Sequence, residues 1–587
     1  MKPSRIRHFP TSPLARNPFL ILRKLRTRLG LRATLCWESA PAAYSTPPAA
    51  GELLTRWIER LHLSGTPASP FHFFGRDWDE AQLWRACREG PAKVEGLAGD
   101  AKLAWEFSRA HHLVQEAARC RADQREPKAE QLAGWLRQWI AHNPFPDGTA
   151  WTCAMEVAIR AVNWIAADAL LDGQLRRAVG GKAWDDQLWN HGRCIWHRLE
   201  AQTICSNHYL ANLLGLAWLG IAFANTREAR RWRAFADREL APALHTQTLP
   251  DGGAYEASLP YHALYVEIGL LTLGVQPAGI AVSAKPALRG MTELLLALYR
   301  ADGGVWPVGD DDDGRVFNWD AIVPTRRVDQ LRALAEVALG GAVNAPSEAL
   351  FPSSGWWKGR AGDFAAFLSF GGAGFFGWGG HAHNDRLSIC VDDGCQPVLI
   401  DPGTYAYTSD LSARWRYRET ASHNTILVDE QEQRPFPPLD ARHAFMLPGA
   451  AEPGRARDSR ADAIAVELEL PSRTGPVRAR RAVEVSAQGC RIVDQLDDTA
   501  MHALRWHFHL HPDFSARVLA NGWEFTGTDR RYQLTTEAAL TFSIRRGMVS
   551  PGYGRQVEAD VLIADWTGML PFSVTWTLRR VDNAAGA

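Results

Sequence analysis

Near residue 350 the spacing of apolar residues changes, and this change limits the fold more than any other feature of the sequence. From about residue 50 to 345, apolar residues recur every three or four positions, as in AEQLAGWLRQWIAH and NHYLANLLGLAWLGIAF. This spacing predicts α-helices. After residue 350 come short, partly alternating segments such as RLSICVDDG, AIAVELEL and FSVTWTL, which predict strands. One compact core does not extend over 587 residues, so we expect separate domains on the two sides of this change.

The breaks between the helical segments, at 143–148, 249–253 and 301–304, carry Pro, Gly and Asp residues that stop helices. Successive helices joined in this way pack as antiparallel pairs and build bundles or closed toroids. The later strands, separated by turn residues, are typical of an antiparallel β-sandwich. We therefore predict a basic N-terminal extension at 1–50, a helical domain at 51–350 and an antiparallel β-sandwich domain at 351–587.

Charge and hydropathy narrow the class of protein. The formal net charge is zero, which gives no support to a nucleic-acid partner. No apolar run is long enough to span a bilayer, so we expect no membrane insertion. The apolar run Phe19–Leu22 near the N-terminus is shorter than the roughly 7–15 residues of a secretory signal core. We expect a cytoplasmic monomer or homodimer, with a periplasmic location as the alternative.

The nine cysteines are spread thinly along the chain and form no CxxC motif. This pattern excludes a disulfide framework and a cysteine-based zinc site. We expect most of them to be buried as small apolar residues.

The segment GHAHNDRLSICVDDGCQPVLIDPGTY carries the polar residues most suggestive of a site. If this segment is a strand, His381 and His383 face the same side. The turn at 392–394 then returns the chain and sets Asp401 roughly opposite Arg386. Together with His423 of the later SHNT segment, His383 and Asp401 form a ligand set that suits zinc. The alternative is polar residues at a strand end, and spacing alone does not decide between the two.

Asn207 and His208 open a strongly apolar helix in SNHYLANLLG. Ser206 or Asn207 as a simple helix N-cap accounts for their polarity. The alternative is that Asn207 and His208 line a cleft.

A second polar group, Glu256, Tyr261 and His262, surrounds a proline in DGGAYEASLPYHALYVEIG. A tyrosine in such a position can give or take a proton. The alternative is aromatic packing at a helix entrance.

Arg109, Glu156 and Arg160 are charged residues inside helical segments. Glu156 and Arg160 are four positions apart, which predicts a surface ion pair. If they face a cavity instead, Arg109 and Arg160 can bind an anionic ligand.

Two further segments are weaker candidates. The acidic run GDDDDGR at 309–315 lacks the spacing of a calcium loop, and we predict a solvated turn. RWHFHLH places three histidines on one strand face without a nearby carboxylate, which predicts a surface strand rather than a metal site.

Taken together, WEFSRAHHL, SNHYLANLLGL, DGGAYEASLPYH, GDDDDGR, GHAHNDRLSICV and SHNT resemble, in content and order, the heparinase II/III-like polysaccharide lyases. The similar segments span most of residues 100–435. The resemblance implies an α/α toroid, an incomplete helical barrel, followed by an antiparallel β-sandwich, with the active cleft between them. It also implies β-elimination of a uronic-acid-containing polysaccharide.

The resemblance implies specific roles for residues of this sequence. Asn207 is similar to the asparagine that neutralises the substrate carboxylate, and His208 to a further residue of the cleft. Tyr261 and His381 match the catalytic tyrosine and histidine. A second catalytic tyrosine has two candidates, Tyr407 and Tyr417. The ligands of a structural zinc ion would be His383, Asp401 and His423, and the expected substrate contacts are Arg109, Glu156, Arg160, Glu256, His262 and Tyr407.

These roles fit the chemistry of β-elimination. Removing the proton α to a carboxylate places negative charge on the carboxyl group, which a neutral amide can stabilise by hydrogen bonding. A base takes the C5 proton and an acid protonates the departing O4 oxygen. The substrate we expect is an anionic polysaccharide or oligosaccharide, either a heparan sulfate-like glycosaminoglycan or a bacterial exopolysaccharide.

Other functions stay open on the sequence. The same scaffold suits an alginate or oligoalginate lyase, or a glycan-binding protein without catalysis. A glycoside hydrolase would need two carboxylates on either side of the scissile bond, and nothing in the sequence pairs Glu156 with Glu256.

Overall fold

α-Helices follow one another from Pro48 to Leu339, and the chain then continues mainly as β-strands from Leu350 to Val581. The computed structural model describes residues 37–89, 100–126, 128–202, 204–276, 282–347, 349–450 and 452–581. Most of the predicted N-terminal extension lies outside these residues, and the first described helix begins at Pro48. The helices are α1 Pro48–Leu61, α2 Glu80–Glu89, α3 Ala101–Arg109, α4 His111–Asp123, α5 Ala129–His142, α6 Ala154–Leu170, α7 Gln174–Val179, α8 Gly181–His197, α9 Asn207–Ala222, α10 Arg227–Gln247, α11 Leu259–Leu273, α12 Lys285–Leu298, α13 Arg327–Leu339 and α14 Leu411–Arg416.

The central helices of the first part are apolar on all sides. Every residue of α6 is buried, and α9 is buried except for His208 and Ile221. A helix of this composition is stable only when other helices surround it. Here α9 packs against α6 and α10. Within the described residues, no helix is both long and apolar enough to cross a membrane.

The chain divides into two compact units, which do not coincide with a single cut near residue 350. The helical unit holds the described parts of 1–248, 263–292 and 314–343. The second unit holds 249–262, 293–313 and the described part of 344–587. Two segments that we predicted in the helical domain therefore belong with the strands. The reason is a shared apolar cluster, in which Leu259, Leu298 and Trp306 pack with Phe351 and Phe367.

The first described strands, β1 His72–Phe73 and β2 Arg76–Asp77, form a small hairpin before α2. The other strands are β3 Leu350–Phe351, β4 Trp356–Ala361, β5 Phe364–Ser369, β6 Ser388–Asp393, β7 Gln396–Leu399, β8 Ile426–Val428, β9 Arg455–Arg460, β10 Ala463–Pro471, β11 Pro476–Ser486, β12 Gly489–Asp497, β13 Met501–His509, β14 Ser515–Leu519, β15 Gly522–Thr526, β16 Arg531–Thr535, β17 Thr541–Val549, β18 Val557–Met569 and β19 Phe572–Val581.

Within its described residues, the second unit contains three sheets, and every strand pair in them is antiparallel. The strand orders of the three sheets are β14-β15-β16-β19-β12-β11-β10-β9, β17-β18-β13-β8 and β3-β4-β5-β6-β7.

One apolar core joins the three sheets. Trp506 of β13 and Trp576 of β19 are fully buried and 5.9 Å apart between ring centroids. Ile389 and Val391 of β6 belong to the same cluster. Side chains from facing sheets that share one core define a β-sandwich.

Strand β13 corrects one prediction. It lies between β18 and β8 rather than at a surface edge. His507 and His509 are accordingly buried, so the predicted surface strand is wrong. The alternation of residues within β13 does not indicate its place in the sheet, because it carries no information on which strands flank β13.

The cysteines within the described residues are free thiols, and all of them except Cys395 are buried. Burial raises the pKa of the Cys87 thiol to about 12 and acts in the same direction on Cys490. These thiols therefore stay protonated, as expected for small apolar core residues.

Candidate active site

Tyr261 lies in the first turn of α11, in the part of that helix that belongs to the second unit. The Ser258 hydroxyl oxygen accepts a hydrogen bond from the Tyr261 backbone N–H at 3.2 Å, as an N-cap does. The same hydroxyl donates to the Asp310 carbonyl at 2.6 Å. Ser258 thus starts the helix and also ties it to the segment around Asp310.

The Tyr261 side chain contacts two other candidate residues. Its hydroxyl is 2.9 Å from the Tyr407 hydroxyl, and its ring stacks on the His381 imidazole with centroids 3.8 Å apart. Burial raises the pKa of Tyr261 well above its ordinary value, and the Asp312 and Asp310 carboxylates add to this. The phenol is therefore protonated at neutral pH and can act as an acid.

The orientation of His381 is set by a carboxylate. Its Nδ1 lies 2.8 Å from Asp310 Oδ2, and an ionised carboxylate only accepts, so Nδ1 carries the proton. In the neutral imidazole this leaves the lone pair on Nε2. Nε2 is 3.5 Å from a Glu256 carboxylate oxygen. The arrangement prepares Nε2 as a proton acceptor.

Asp310 holds both histidines of the HxH motif. Its Oδ1 accepts from His383 Nε2 at 2.8 Å, and Arg414 donates to both carboxylate oxygens. Burial alone would raise the pKa of Asp310, but Arg414 and the two imidazole donors outweigh it and hold the pKa well below its ordinary value. The predicted solvated turn at 309–315 is therefore wrong for this residue, which is fully buried. Its partners lie far along the chain, so no local pattern indicated them.

His381 and His383 meet for a different reason from the one predicted. Strand β6 begins only at Ser388, so the two histidines lie in the preceding loop and the alternation of a strand does not apply. They share a site because both donate to the Asp310 carboxylate. The predicted hairpin does form, with Asp393 opposite Gln396 across the two residues Gly394 and Cys395. Its register, which pairs Val391 with Leu399, places the continuation of β7 opposite the start of β6 rather than opposite Arg386.

His383, Asp401 and His423 form a buried group whose donor atoms all lie within 4.8 Å of one another. His423 Nδ1 is 2.8 Å from Asp401 Oδ2, and His383 Nε2 is held by Asp310. The remaining ring nitrogens, His383 Nδ1 and His423 Nε2, are buried without a hydrogen-bond partner. Buried polar atoms of this kind are costly unless something binds them. Two imidazole lone pairs beside a carboxylate fit a divalent metal ion.

Tyr407, rather than Tyr417, is the second tyrosine beside Tyr261. The Arg414 guanidinium lies over the Tyr407 ring, 4.8 Å from its centroid. Burial raises the pKa of Tyr407 well above its ordinary value, with Tyr261 and Asp310 as further causes. The Tyr417 hydroxyl instead accepts from Gln556 at 3.2 Å.

Glu256 and His262 lie on either side of Tyr261 in sequence. Both side chains are fully buried. His262 Nδ1 accepts from the Ala254 backbone N–H at 3.1 Å, which fastens the loop before α11. Glu256 faces His381 as described above. The predicted contact of these two residues with substrate stays a prediction.

Asn207 and His208 lie at the start of α9 in the helical unit. Ser206 is the N-cap, since its hydroxyl accepts from the His208 backbone N–H at 3.3 Å. The Asn207 side chain is therefore not needed for capping, and the residue is fully buried. The roles predicted for Asn207 and His208 stay predictions.

His208 belongs to a cluster that the sequence did not indicate. Its Nδ1 is 2.8 Å from Glu200 Oε1 and 3.7 Å from Cys153 Sγ. Burial would lower the pKa of His208, but the Glu200 carboxylate outweighs it and raises the pKa well above its ordinary value. His208 is therefore an imidazolium at neutral pH. The three residues come from separate parts of the chain, with no motif spacing to connect them.

Arg109 and Glu156 form a buried pair within the helical unit. Arg109 Nε and Nη2 donate to the two Glu156 carboxylate oxygens, each at 2.8 Å. Arg109 also lies 2.9 Å from a Glu106 carboxylate oxygen. Such bidentate pairing commits most of the guanidinium donors to internal partners.

Arg160 has different partners from those predicted. It is fully buried, and its guanidinium carbon lies 4.5 Å and 4.6 Å from the ring centroids of Trp139 and Trp151. Its Nε is 2.8 Å from His191 Nε2. The predicted surface ion pair with Glu156 is therefore wrong, because both side chains point to other buried partners. Binding of substrate by Arg109, Glu156 and Arg160 stays a prediction.

Comparison with known proteins gives matches on both sides of the change near residue 350. Residues 77–281 match the family described as Heparinase II/III N-terminus, and residues 344–577 match Heparinase II/III-like, C-terminal. No match was found among curated proteins.

Solved structures similar to the chain agree with these matches. One titled heparinase III has a TM-score of 0.62 and 16% identity, with 97% of this chain and 92% of that chain covered. A structure titled as a heparinase III gene product has a TM-score of 0.57 and 17% identity, with 98% of this chain and 93% of that chain covered. The structure of heparan sulfate lyase HepC from Pedobacter heparinus has a TM-score of 0.55 and 16% identity, with 98% of this chain and 93% of that chain covered. The predicted fold class, an α/α toroid followed by an antiparallel β-sandwich, is confirmed.

Proposed function

Because the chain belongs to the heparinase II/III-like family, we propose that it is a polysaccharide lyase. It cleaves a uronic-acid-containing anionic polysaccharide or oligosaccharide by β-elimination and leaves an unsaturated uronate. Two of the similar structures are titled heparinase III and heparan sulfate lyase, so a heparan sulfate-like glycosaminoglycan is the first substrate to test.

The observation that carries the proposal is the contact between Tyr261 and His381. A protonated phenol stacks on an imidazole whose Nδ1 proton is committed to Asp310. An acid and a base of this kind are the two groups that β-elimination needs. Binding of a glycan without catalysis does not need a tyrosine and a histidine in this arrangement.

In this mechanism Tyr261 gives its proton to the departing O4 oxygen. The phenolate that forms can accept a hydrogen bond from the Tyr407 hydroxyl, which lies 2.9 Å away. Arg414, placed over the Tyr407 ring, adds a positive charge near this pair. The Tyr407 and Arg414 side chains thus stabilise the charge that Tyr261 acquires.

The base depends on the stereochemistry of the sugar. His381 Nε2 takes the C5 proton when that proton and the O4 oxygen lie on opposite faces of the ring. When they lie on one face, Tyr261 serves as both base and acid and works from its phenolate: it takes the C5 proton and gives the same proton to the leaving O4 oxygen. The raised pKa of the Tyr261 phenol opposes that phenolate. Asp310 acts as a positioning residue for His381 in the first case.

Asn207 and His208 are assigned to the substrate carboxylate. The Asn207 amide donates a hydrogen bond to the carboxylate as charge develops on it. In the chain without bound metal, Glu200 keeps His208 as an imidazolium, which adds a positive charge for the same group. Both assignments follow from the family motif that contains Asn207 and His208.

We assign the group of His383, Asp401 and His423 to a structural Zn²⁺ ion. The ion would join the loop after β7 to the loop before β8, and its role is to stabilise these loops. His383 also donates to Asp310, so the same loop geometry supports the orientation of His381.

The test is a substrate panel of heparan sulfate, hyaluronan, alginate and bacterial exopolysaccharides, with short oligosaccharides of each. We expect new ultraviolet absorbance from an unsaturated uronate with at least one of them. Binding of a glycan without any such product, across polymers and oligosaccharides, would instead indicate a glycan-binding protein.

A further inference from the structure

Cys153, Glu200 and His208 form a compact cluster within the helical unit, here called the thiol cluster. Cys153 immediately precedes α6, Glu200 lies between α8 and α9, and His208 is the second residue of α9. Cys153 Sγ is 3.8 Å from Glu200 Oε1 and 3.7 Å from His208 Nδ1. Glu200 Oε1 and His208 Nδ1 are 2.8 Å apart. Three different metal-binding groups thus point at one position.

We propose that the thiol cluster is a second metal site, which binds Zn²⁺ or another borderline-soft divalent ion through Cys153 Sγ, His208 Nδ1 and Glu200 Oε1. Zinc bonds of about 2.3 Å to sulfur and about 2.0 Å to nitrogen and oxygen, at tetrahedral angles, separate the ligand atoms by roughly 3.3–3.6 Å. The observed separations of 2.8, 3.7 and 3.8 Å need only shifts of about half an ångström to match. The proposal does not depend on lyase activity.

Neighbouring groups already orient the carboxylate for this purpose. The other Glu200 oxygen, Oε2, accepts from the Met155 backbone N–H at 3.0 Å and from Asn212 Nδ2 at 3.1 Å. This leaves Oε1 directed at Cys153 and His208. Outer hydrogen bonds of this kind are typical of metal sites, where they hold the ligands in place.

An ion can reach the cluster. The His208 side chain is 38% exposed and that of Glu200 is 24% exposed, while Cys153 forms the buried end. With three protein ligands, a zinc ion here would keep a fourth position for water. Among the described residues, the other group able to hold a metal, His383 with Asp401 and His423, is fully buried.

The ligand set matches the charge of a divalent ion. Metal binding requires deprotonated ligands, so the thiol proton and any proton on His208 Nδ1 would pass to solvent. A thiolate and a carboxylate then balance the two positive charges of Zn²⁺, with the imidazole neutral. A partly buried site therefore gains no uncompensated charge.

The test uses Co²⁺ as a spectroscopic probe on the full chain. A thiolate bound to Co²⁺ gives an intense near-ultraviolet charge-transfer band, which the group of His383, Asp401 and His423 cannot give because it contains no sulfur. We expect this band to saturate at one Co²⁺ per chain and to disappear when Zn²⁺, which binds more tightly to such sites, is added.

Cys153→Ser should remove the band, and Glu200→Gln should weaken Co²⁺ binding about 10-fold or more. Cys395→Ser is the matched control, because it removes an exposed free thiol outside the cluster and should leave the band unchanged. A wild-type chain without the band, or a band that persists in folded Cys153→Ser protein, would overturn the proposal. Since the wild-type result alone can refute it, the test does not depend on how well the variant folds.

Discussion

The Tyr261 ring lies nearly parallel to the His381 imidazole, with ring centroids 3.8 Å apart and planes 22° from each other. The stack brings a residue of α11 against a loop residue that precedes β6. Replacing Tyr261 by phenylalanine keeps the stack and removes only the hydroxyl. This substitution therefore separates the chemistry of Tyr261 from its packing.

Tyr261→Phe should lower the rate of unsaturated uronate formation by about 10²–10⁴-fold, because the acid is lost. Loss of the hydrogen bond to Tyr407 should cost only about 1 kcal/mol of stability. The rate is measured on the best substrate of the panel, and the fold is checked by circular dichroism. Full activity in this variant would exclude Tyr261 as the acid.

Tyr407→Phe should lower kcat about 10-fold or more, since the Tyr261 phenolate loses a hydrogen-bond donor. Tyr417→Phe is the matched control, because the Tyr417 hydroxyl contacts Gln556 instead. We expect its kcat to stay within about twofold of wild type. A larger loss of kcat in Tyr417→Phe than in Tyr407→Phe would contradict the assignment of Tyr407.

Asp310→Asn should impair both activity and stability. An amide cannot accept from both histidines and Arg414 at once, and the buried Arg414 loses its counter-charge, which costs about 3–5 kcal/mol. Unfolding in guanidinium chloride measures the loss. Asp313→Asn is the control from the same acidic run, since Asp313 is partly exposed and has a φ of 56°, which asparagine tolerates. Equal stability of the two variants would contradict the central role of Asp310.

His423→Asn should lower bound zinc by one ion per chain and reduce the thermal midpoint, because a buried ligand is lost. Elemental analysis gives the metal content. The His423→Asn variant and the protein with His423 intact both also carry Cys153→Ser, so that the thiol cluster does not contribute to the zinc content. His72→Asn replaces an exposed histidine of the helical unit and should leave the zinc content unchanged. Equal zinc in the His423 variant would refute the assignment.

Glu106 should give the helical unit a specific dependence on acid pH. Burial alone would raise its pKa, but Arg109, His111 and Lys102 lower it from 4.5 to about 2. A depressed carboxyl pKa contributes stability that is complete above pH 4.5 and is lost as pH falls toward 2, roughly 3 kcal/mol in total. By pH 4 about 1 kcal/mol of it should be gone.

The check is the difference in unfolding free energy between wild type and Glu106→Gln, which should shrink by about 1 kcal/mol from pH 7 to pH 4. Glu130→Gln, in which an exposed carboxylate is replaced, should follow the wild-type pH dependence. A difference for Glu106→Gln that stays constant with pH would show that Arg109 and its neighbours do not depress this carboxyl group.

The sequence predicts a secondary-structure element well when the pattern that indicates it lies in neighbouring residues. The change of spacing near residue 350, the hairpin after β6 and the apolar helix α9 all follow from neighbouring residues. The sequence also offers His383, Asp401 and His423 as one candidate group, and the structure brings these residues together. The strand argument for His381 and His383 is wrong, because the strand begins only at Ser388.

The centre of the site was not predictable in the same way. The run of four carboxylates at 310–313 predicts solvated residues, because such runs are usually exposed. Asp310 is nevertheless buried, and its cation, Arg414, comes from a helix far along the chain. Glu200 and Cys153 carry no motif, and the pairing of Glu156 with Arg109 rather than Arg160 depends on how α3 and α6 pack. The spacing of residues does not indicate which charged groups from distant parts of the chain come into contact.

The assignment of 249–262 and 293–313 to the second unit has a consequence for how this protein can be divided. A fragment that begins at residue 344 would keep His381, His383 and Arg414 but lose Tyr261 and Asp310. Such a fragment would contain a buried arginine and two histidines without the carboxylate that they share. The second unit is therefore discontinuous in sequence: a continuous stretch that contains all of it also carries 263–292 and 314–343 of the helical unit. Recombination at residue 350 would separate the acid from the base.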